Sequence, residues 1–565
     1  MKNNPLLMTD GYKSSHHQMY PKGTTLVYSN YTPRNVKYMP EGAKDIVVFG
    51  NQYVIKYISE LYNDNFFSQP KDVVCGEAKR FLSSYLGCDY DISHFEALHD
   101  LGYLPIIIKG LDEGTVIKEK IPTFVIYNTL PEFFWLPNFL ETLISSLLWK
   151  PMHSASMALG YKKILTKWAK KTDENNLDFV NFQGHDFSFR GMQHPEAAIS
   201  SGLGFLTSFM GTDTIPTLQA SKHFYRTDDV AFSVPASEHS VMTAYGKEEE
   251  IEGFKRLMKQ FPTGILSVVS DSFDLWQVLT KFLPELKEEI LARDGKLVVR
   301  PDSGNPVDII CGESTKYKDL SFYFPEGDVL PEYFEDVLLE EVSEDTPHGE
   351  HGVSEHENTY LIRGKLYKAT IHNISWNRHD KQYYFIDMWE KAKITVEEIT
   401  WKPSDKGVIE LLWGVFGGTE NEQGYKVLNT HIGAIYGDSI TMERAEQICS
   451  RLEAKGFAST NIVLGVGSYS MGYSTRDNQG GAIKATYCEV DGIGREIFKD
   501  PVTDDGTKKS AKGLVGVFLN DNNIPYLKDQ LTWEESETGL LQTLFKNGEF
   551  ITTTTLTEIR ERISI

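Results

Sequence analysis

The chain has 565 residues, 41% hydrophobic and 24% charged, with a formal net charge of −22. That length and balance fit an ordinary soluble globular protein of two or more domains. The acidic surplus argues against a general nucleic-acid or anionic-membrane surface, while leaving room for a focused basic pocket.

The five cysteines (Cys75, Cys88, Cys311, Cys449 and Cys488) form no C-x-x-C pair and are odd in number, which reads as a reducing cytoplasm. No uncharged apolar run approaches ~18 residues, so no transmembrane helix is expected. Met1-Lys-Asn-Asn-Pro lacks the apolar core of a signal peptide.

Residues 1–175 read as an α+β domain. Gly114-Thr-Val-Ile-Lys and Thr123-Phe-Val-Ile-Tyr are strand-like runs around a Pro122 corner. Asn138-Phe-Leu-Glu141 has the form of a capping box, and Leu140, Ile144 and Leu147 follow at helical spacing.

Over 176–309 the rhythm becomes strand, polar tip, helix, which argues for βα units and a parallel sheet or barrel. Such barrels present chemistry at the carboxyl ends of their strands. The first tip is His185-Asp-Phe-Ser-Phe-Arg190-Gly. Phe187 and Arg190 offer an aromatic face and a guanidinium that suit a flat, electron-poor ring; a core Phe beside a surface Arg is the commoner arrangement. Gly202-Leu-Gly204 ends in Thr207 where a dinucleotide fingerprint wants Gly or Ala, and there is no P-loop sequence. In Gly211-Thr-Asp213-Thr, Asp213 can accept from an amide NH₂ and would repel a carboxylate, although taken alone it reads more readily as an N-cap. Ser233-Val-Pro-Ala-Ser-Glu-His239-Ser then places a histidine between an apolar stub and a helical pattern. Histidine is the side chain most readily used for proton or phosphoryl traffic near neutral pH.

Ile265-Leu-Ser-Val-Val269 is a buried strand that runs into Ser270-Asp271-Ser272. A helix follows with Leu275, Leu279 and Phe282 on one face, until Pro284 ends or kinks it. Leu297-Val-Val299 leads into Arg300-Pro-Asp302-Ser-Gly-Asn305. There the proline fixes the turn, the arginine offers a planar fork, and the aspartate can hold ribose hydroxyls or a metal-bound water; a structural salt bridge is the plainer alternative.

Residues 310–405 break the rhythm and read as an insertion between a barrel strand and its helix, with Tyr360-Leu-Ile and Gln382-Tyr-Tyr-Phe-Ile386 as strands. His348, His351 and His356 lie in a Gly- and Glu-rich run without helical ligand spacing, which favours a solvated acidic loop over a metal site. Over 406–475 the barrel pattern resumes. Ile432-Gly-Ala-Ile-Tyr436 ends at Gly437-Asp438, a helix carries Ala445, Ile448 and Leu452 on one face, and Asn461-Ile-Val-Leu464 opens into Gly465-Val-Gly467-Ser468. That last turn can offer backbone N–H groups to a phosphate, or be an ordinary tight turn. Residues 476–565 form a C-terminal segment.

Taken together, these segments resemble the nicotinamide phosphoribosyltransferases, in the type II nicotinate/nicotinamide phosphoribosyltransferase family. Thr9-Asp-Gly-Tyr12-Lys13, His16, Arg34, Thr475-Arg476-Asp477, Lys484, Phe498-Lys499-Asp-Pro-Val and Thr543-Leu-Phe-Lys-Asn-Gly-Glu also match. The resemblance spans nearly the whole chain except the insertion. It implies an α/β fold: an irregular parallel β/α barrel with an additional α+β domain built from the N- and C-terminal segments. It also implies formation of nicotinamide mononucleotide (NMN) and pyrophosphate from nicotinamide and phosphoribosyl pyrophosphate (PRPP) with Mg²⁺, coupled to ATP hydrolysis through a phosphohistidine, in a homodimer with shared active sites.

By that resemblance His239 matches the phosphorylated histidine, and Phe187 and the partner subunit's Tyr12 match the aromatic pair around the pyridine ring. Asp213 matches the amide reader. Arg190, Arg300 and Asp302 match residues around ring, ribose and phosphate, while Gly437, Asp438, Gly467 and Ser468 match backbone, ribose or phosphate contacts. Arg34, Arg476, Lys484, Lys499 and Lys508 match the basic residues on the phosphates. Asp271 is the candidate for orienting the His239 imidazole. Protein ligands for Mg²⁺ are not assigned. The chain departs from the family at Gly465-Val-Gly-Ser-Tyr469, where consecutive glycines are usual, and in the insertion, which has no counterpart in shorter members.

Overall fold

A computed structural model of the chain describes residues 3–228, 230–334, 338, 353–377, 382–385, 394–437, 439–498 and 511–563. It divides into two compact units. The first comprises Met1–Val234, Ile435–Cys449 and Ile462–Ile565; the second comprises Pro235–Ala434 and Ser450–Asn461.

In the first unit the two ends of the chain share one antiparallel sheet. Its seven strands run in the order Ile493–Glu496, Ala482–Val490, Thr24–Thr32, Phe124–Asn128, Ile106–Gly110, Gln542–Lys546 and Glu549–Phe550. The apolar side chains of Tyr28, Ile108 and Ile126 enter one core with Leu143 and Ile144 of the helix Leu136–Thr172. That helix buries every residue from Lys150 to Tyr161, as a helix inside a core must. It starts two residues before the expected capping box. The Asn138 side chain is instead drawn to Tyr20 and to the Ser29 hydroxyl, and Glu141 pairs with Lys13 at 2.6 Å. Tertiary partners have outcompeted the local cap.

The same unit holds three short parallel strands, Gly211–Thr212, Gly184–Asp186 and Ile462–Val466, with His185 opposite both Gly211 and Gly465. Helices Pro195–Phe205 and Pro216–Tyr225 follow the first two in the chain. In the second unit Thr263–Val269, Asp294–Arg300 and the start of Ile432–Tyr436 are parallel, in register Val269↔Arg300 and Ile432↔Leu297. Leu275, Leu279 and Phe282 are buried as their spacing predicts, and the helical run ends at Glu285, just after Pro284. Parallel βα repeats and an antiparallel sheet made from the chain ends give the α/β class.

The insertion forms a five-stranded sheet of Lys318–Asp319, Val353–Ile362, Lys365–Asn377, Gln382–Phe385 and Ile394–Ile399. Its long hairpin turns at Arg363-Gly364, both with positive φ, the geometry of a two-residue primed turn. Phe324, Phe334, Tyr360 and Ile371 give it a core of its own. In the chain it lies between the short helix Pro306–Cys311, which already follows strand Asp294–Arg300, and helix Pro403–Phe416. His356 lies on a strand opposite Ile371, whereas His348 and His351 lie outside the described residues. Among the described residues no helix is long and apolar enough to cross a membrane.

Candidate active site

In the first unit, chemistry gathers at the carboxyl ends of the parallel strands. The Phe187 amide donates to the Val466 carbonyl at 3.0 Å, which sets the aromatic side chain beside Gly465. A Cβ at Gly465 would come within 2.6 Å of the Tyr436 carbonyl oxygen and 2.7 Å of the Phe187 ring. Glycine there admits the ring. Gly191 has the same role against the Ser468 hydroxyl, which brings the Arg190 turn to Gly467 and Ser468. Gly467 precedes the short helix Ser468–Gly472 with no side-chain cap. Arg190 is exposed and Phe187 half-buried.

Asp213 is not an N-cap, because the helix begins at Pro216 with Ile215 at its cap. Its Oδ1 lies 2.9 Å from His185 Nε2 and accepts from the Ser233 hydroxyl at 2.6 Å. Neither His185 nor Ser233 had been given a role from the sequence, although both stand in the strand-tip motifs. Lys150 was missed altogether. Deep in the long helix, it donates to the Met471 carbonyl and, at 3.1 Å, to Ser474, and so braces the turn that carries Gly467 and Ser468. Burial pushes its ammonium down to about 8. Nothing in the local sequence announces that long-range contact.

The basic residues of this unit collect at one end of the antiparallel sheet. Arg34 follows strand Thr24–Thr32 and its Nε donates to the Gly480 carbonyl at 2.8 Å. Arg476 precedes strand Ala482–Val490, and Lys484 lies on it opposite Asn30. Arg34, Arg476 and Lys484 are all exposed. Tyr12 is 62% exposed on the turn Gly11–Ser15. Gly437 is half-buried just past strand Ile432–Tyr436. Asp438, Lys499 and Lys508 lie outside the described residues.

The second unit assembles His239, Asp271, Arg300 and Asp302. His239 opens the helix His239–Thr243. Its Nε2 is 3.0 Å from Asp302 Oδ1 and its Nδ1 is 3.0 Å from the Ser272 hydroxyl. An ionised carboxylate only accepts, so Nε2 donates to Asp302; in the neutral imidazole Nδ1 then carries the lone pair and accepts from the Ser272 hydroxyl. The carboxylate bonded to the imidazole is therefore Asp302, where Asp271 had been expected. Asp271 Oδ1 stands 3.9 Å from Nε2. Its Oδ2 accepts from the Asp302 amide at 2.9 Å, the Ser303 amide at 2.8 Å and the Ser303 hydroxyl at 2.5 Å. Asp271 thus fixes the turn that aims Asp302. Arg300 makes no ion pair with Asp302; its guanidinium donates to the Ser237 carbonyl.

Among the described residues, His239, Asp271 and Asp302 are the one group of three whose donor atoms converge as a metal site requires, all within 4.8 Å of one another. The buried Asp271 Oδ1 has no hydrogen-bond partner. A carboxylate oxygen held out of water without a donor fits a hard divalent cation.

Comparison with known proteins identifies the family. Residues 182–325 and 395–549 match the model of the nicotinate phosphoribosyltransferase (NAPRTase) family. Residues 4–106 match the nicotinamide phosphoribosyltransferase N-terminal domain. The chain is 40% identical to the nicotinamide phosphoribosyltransferase of Acinetobacter baylyi, over 99% of this chain and 97% of that protein. It is 33% identical to the Mycoplasma pneumoniae protein of the same name, over 92% and 96%. Among solved structures, nicotinate-nucleotide pyrophosphorylase from Pyrococcus furiosus shares the fold, with a TM-score of 0.50 at 12% identity over 99% of this chain and 94% of that one.

Proposed function

We propose that this chain, which belongs to the nicotinate phosphoribosyltransferase family, makes NMN and pyrophosphate from nicotinamide and PRPP in NAD salvage, with ATP hydrolysed through a phosphohistidine at His239. The observation that carries the choice of base is Asp213, a half-exposed carboxylate at a strand end, fixed by His185 and Ser233. A carboxylate accepts from the carboxamide NH₂ of nicotinamide and repels the carboxylate of nicotinate. The two relatives named above point the same way.

In the transfer, the lone pair of the pyridine nitrogen forms the bond to ribose C1. The bond from C1 to the pyrophosphate oxygen breaks, pyrophosphate leaves with that electron pair, and positive charge builds on the ribose. No proton moves at the reacting atoms. Phe187 supplies a stacking face, and Tyr12 of a second copy in a homodimer supplies the other, so the nitrogen is held in line by orientation alone. Arg34, Arg476 and Lys484, with Lys499 and Lys508, grip phosphate and pyrophosphate oxygens. Gly437, Asp438, Gly467 and Ser468 contact ribose and phosphate.

At His239, the Nδ1 lone pair attacks the γ-phosphorus of ATP and ADP leaves with the P–O electron pair, while Nε2–H stays on Asp302. Asp271 and Asp302 would hold Mg²⁺, which when bound supplies charge neutralisation for the phosphates. Five cysteines with no C-x-x-C pair suit a reducing cytoplasm.

The test is NMN formation from PRPP and Mg²⁺ with nicotinamide or nicotinate, with and without ATP, in the wild type and in His239→Ala. Nicotinamide-specific product, stimulated by ATP only when His239 is present, is the expected result. Product without an ATP effect keeps the transferase and removes the phosphohistidine. Equal turnover of nicotinate overturns the choice of base.

A further inference from the structure

We infer that His185 is the positioning residue that holds both halves of base recognition, the stacking ring of Phe187 and the amide-reading carboxylate of Asp213. This rests on the nicotinamide reading above. His185 lies on strand Gly184–Asp186 opposite Gly211 of the parallel neighbour. A Cβ at Gly211 would fall 2.6 Å from His185 Nδ1, so glycine at that position leaves room for the imidazole to lie across the neighbouring strand. Two residues beyond Gly211, Asp213 Oδ1 meets His185 Nε2 at 2.9 Å. On its other side the imidazole packs against Phe187, with ring centroids 4.6 Å apart and planes tilted by 34°.

The chemistry of the pair fixes its meaning. The His185 side chain is only 11% exposed, whereas Asp213 is 42% exposed. A half-exposed aspartate has rotamer freedom that binding must otherwise remove. Two donors on one oxygen, His185 Nε2–H and the Ser233 hydroxyl, set the plane of the carboxylate before the base arrives. The ionised form is the one that accepts from a carboxamide and excludes a carboxylate. His185 therefore supports selectivity without touching the base. The Phe187 ring, in contact with His185 and close against the Cβ-free Gly465, is placed by the same imidazole.

The experiment compares His185→Phe, which keeps a ring and deletes the donor, with His185→Gln, which keeps an N–H near the Nε2 position, and with Asp213→Asn. The readouts are kcat, KM for nicotinamide, nicotinate and PRPP, and the melting temperature. In His185→Phe the nicotinamide KM rises by about 10–100-fold, the loss expected for a hydrogen bond to a charged group. The preference for nicotinamide over nicotinate falls by about 10-fold, while kcat and the PRPP KM change little. His185→Gln recovers most of both losses. An equal loss for every substrate, or a lowered melting temperature with unchanged selectivity, would mean a merely structural histidine and overturns the inference. So does an unchanged nicotinamide KM in His185→Phe when Asp213→Asn has lost selectivity; the base reading then survives alone. If Asp213→Asn keeps full selectivity, Asp213 is not the amide reader and both fall together.

Discussion

Among the described residues, each unit has a histidine–aspartate hydrogen bond at its strand tips, and the two are nearly the same length: 2.9 Å for His185–Asp213 in the first unit and 3.0 Å for His239–Asp302 in the second. What differs is which partner faces outward. In the first pair the imidazole is 11% exposed and the carboxylate 42%. In the second the imidazole is 46% exposed and the carboxylate 29%. The outward group is the one available to a substrate, and the inward group is its support. On the function proposed above, the same two side chains would serve as an aspartate-centred reader in one unit and a histidine-centred nucleophile in the other. Distance alone would not separate these roles; burial does.

The largest effect expected from this contrast is on Asp302. In Asp302→Asn the amide can donate to Nε2, which moves the imidazole proton to Nδ1 and removes the lone pair there. ATP hydrolysis coupled to NMN formation should fall by about 10²–10⁴-fold, the scale seen when a histidine is held in the wrong tautomer. ATP-independent NMN formation should fall much less. Equal loss in both assays would show Asp302 acting on ribose or pyrophosphate instead, and the parallel between the two pairs would break. A smaller and opposite pattern is expected in the first unit. Gly465→Ala forces a Cβ against the Phe187 ring and the Tyr436 carbonyl, an overpacking of about 1–3 kcal/mol. The nicotinamide KM should rise by about 10-fold, while ATP hydrolysis in the presence of PRPP changes little. If ATP hydrolysis falls as far as base binding, the two clusters are not separable in the way their burial suggests.

Much of this was legible in the sequence, for a local reason. A parallel strand is a short apolar run and its tip is a short polar one, so Ile265–Val269 and Asp271, or Leu297–Val299 and Asp302, stand next to each other in the chain. The antiparallel sheet was less legible, since pairing Thr24–Thr32 with Ala482–Val490 joins segments more than four hundred residues apart. The choice between Asp271 and Asp302 was not legible at all. Both are strand-tip carboxylates, and only the backbone of the Asp302–Ser303 turn decides that one bonds the imidazole and the other bonds the turn. The capping pattern at Asn138 failed because Tyr20 and Lys13, far earlier in the chain, claim its polar groups.

The smallest effect concerns the electrostatic burden of the second pair. Asp271 and Asp302 place two carboxylates by His239, and the charge of Asp271 also acts on Glu250, which is 2% exposed at the start of the helix Glu250–Gln260. Burial, and then the charges of Asp274 and Asp271, push the Glu250 carboxyl from 4.5 up to about 7. Between those values the folded protein binds more protons than the unfolded chain, so stability falls as pH rises across that window, and the loss is complete above about 7. Glu250→Gln removes the titration. The variant should melt of the order of 2 °C above the wild type at pH 8, and the difference between them should shrink on acidification as the wild-type carboxyl takes up its proton. Melting curves of the two proteins across that pH range test it. A difference that does not vary with pH would mean that the variant acts through packing, and that the fold tolerates Glu250 in the charged form.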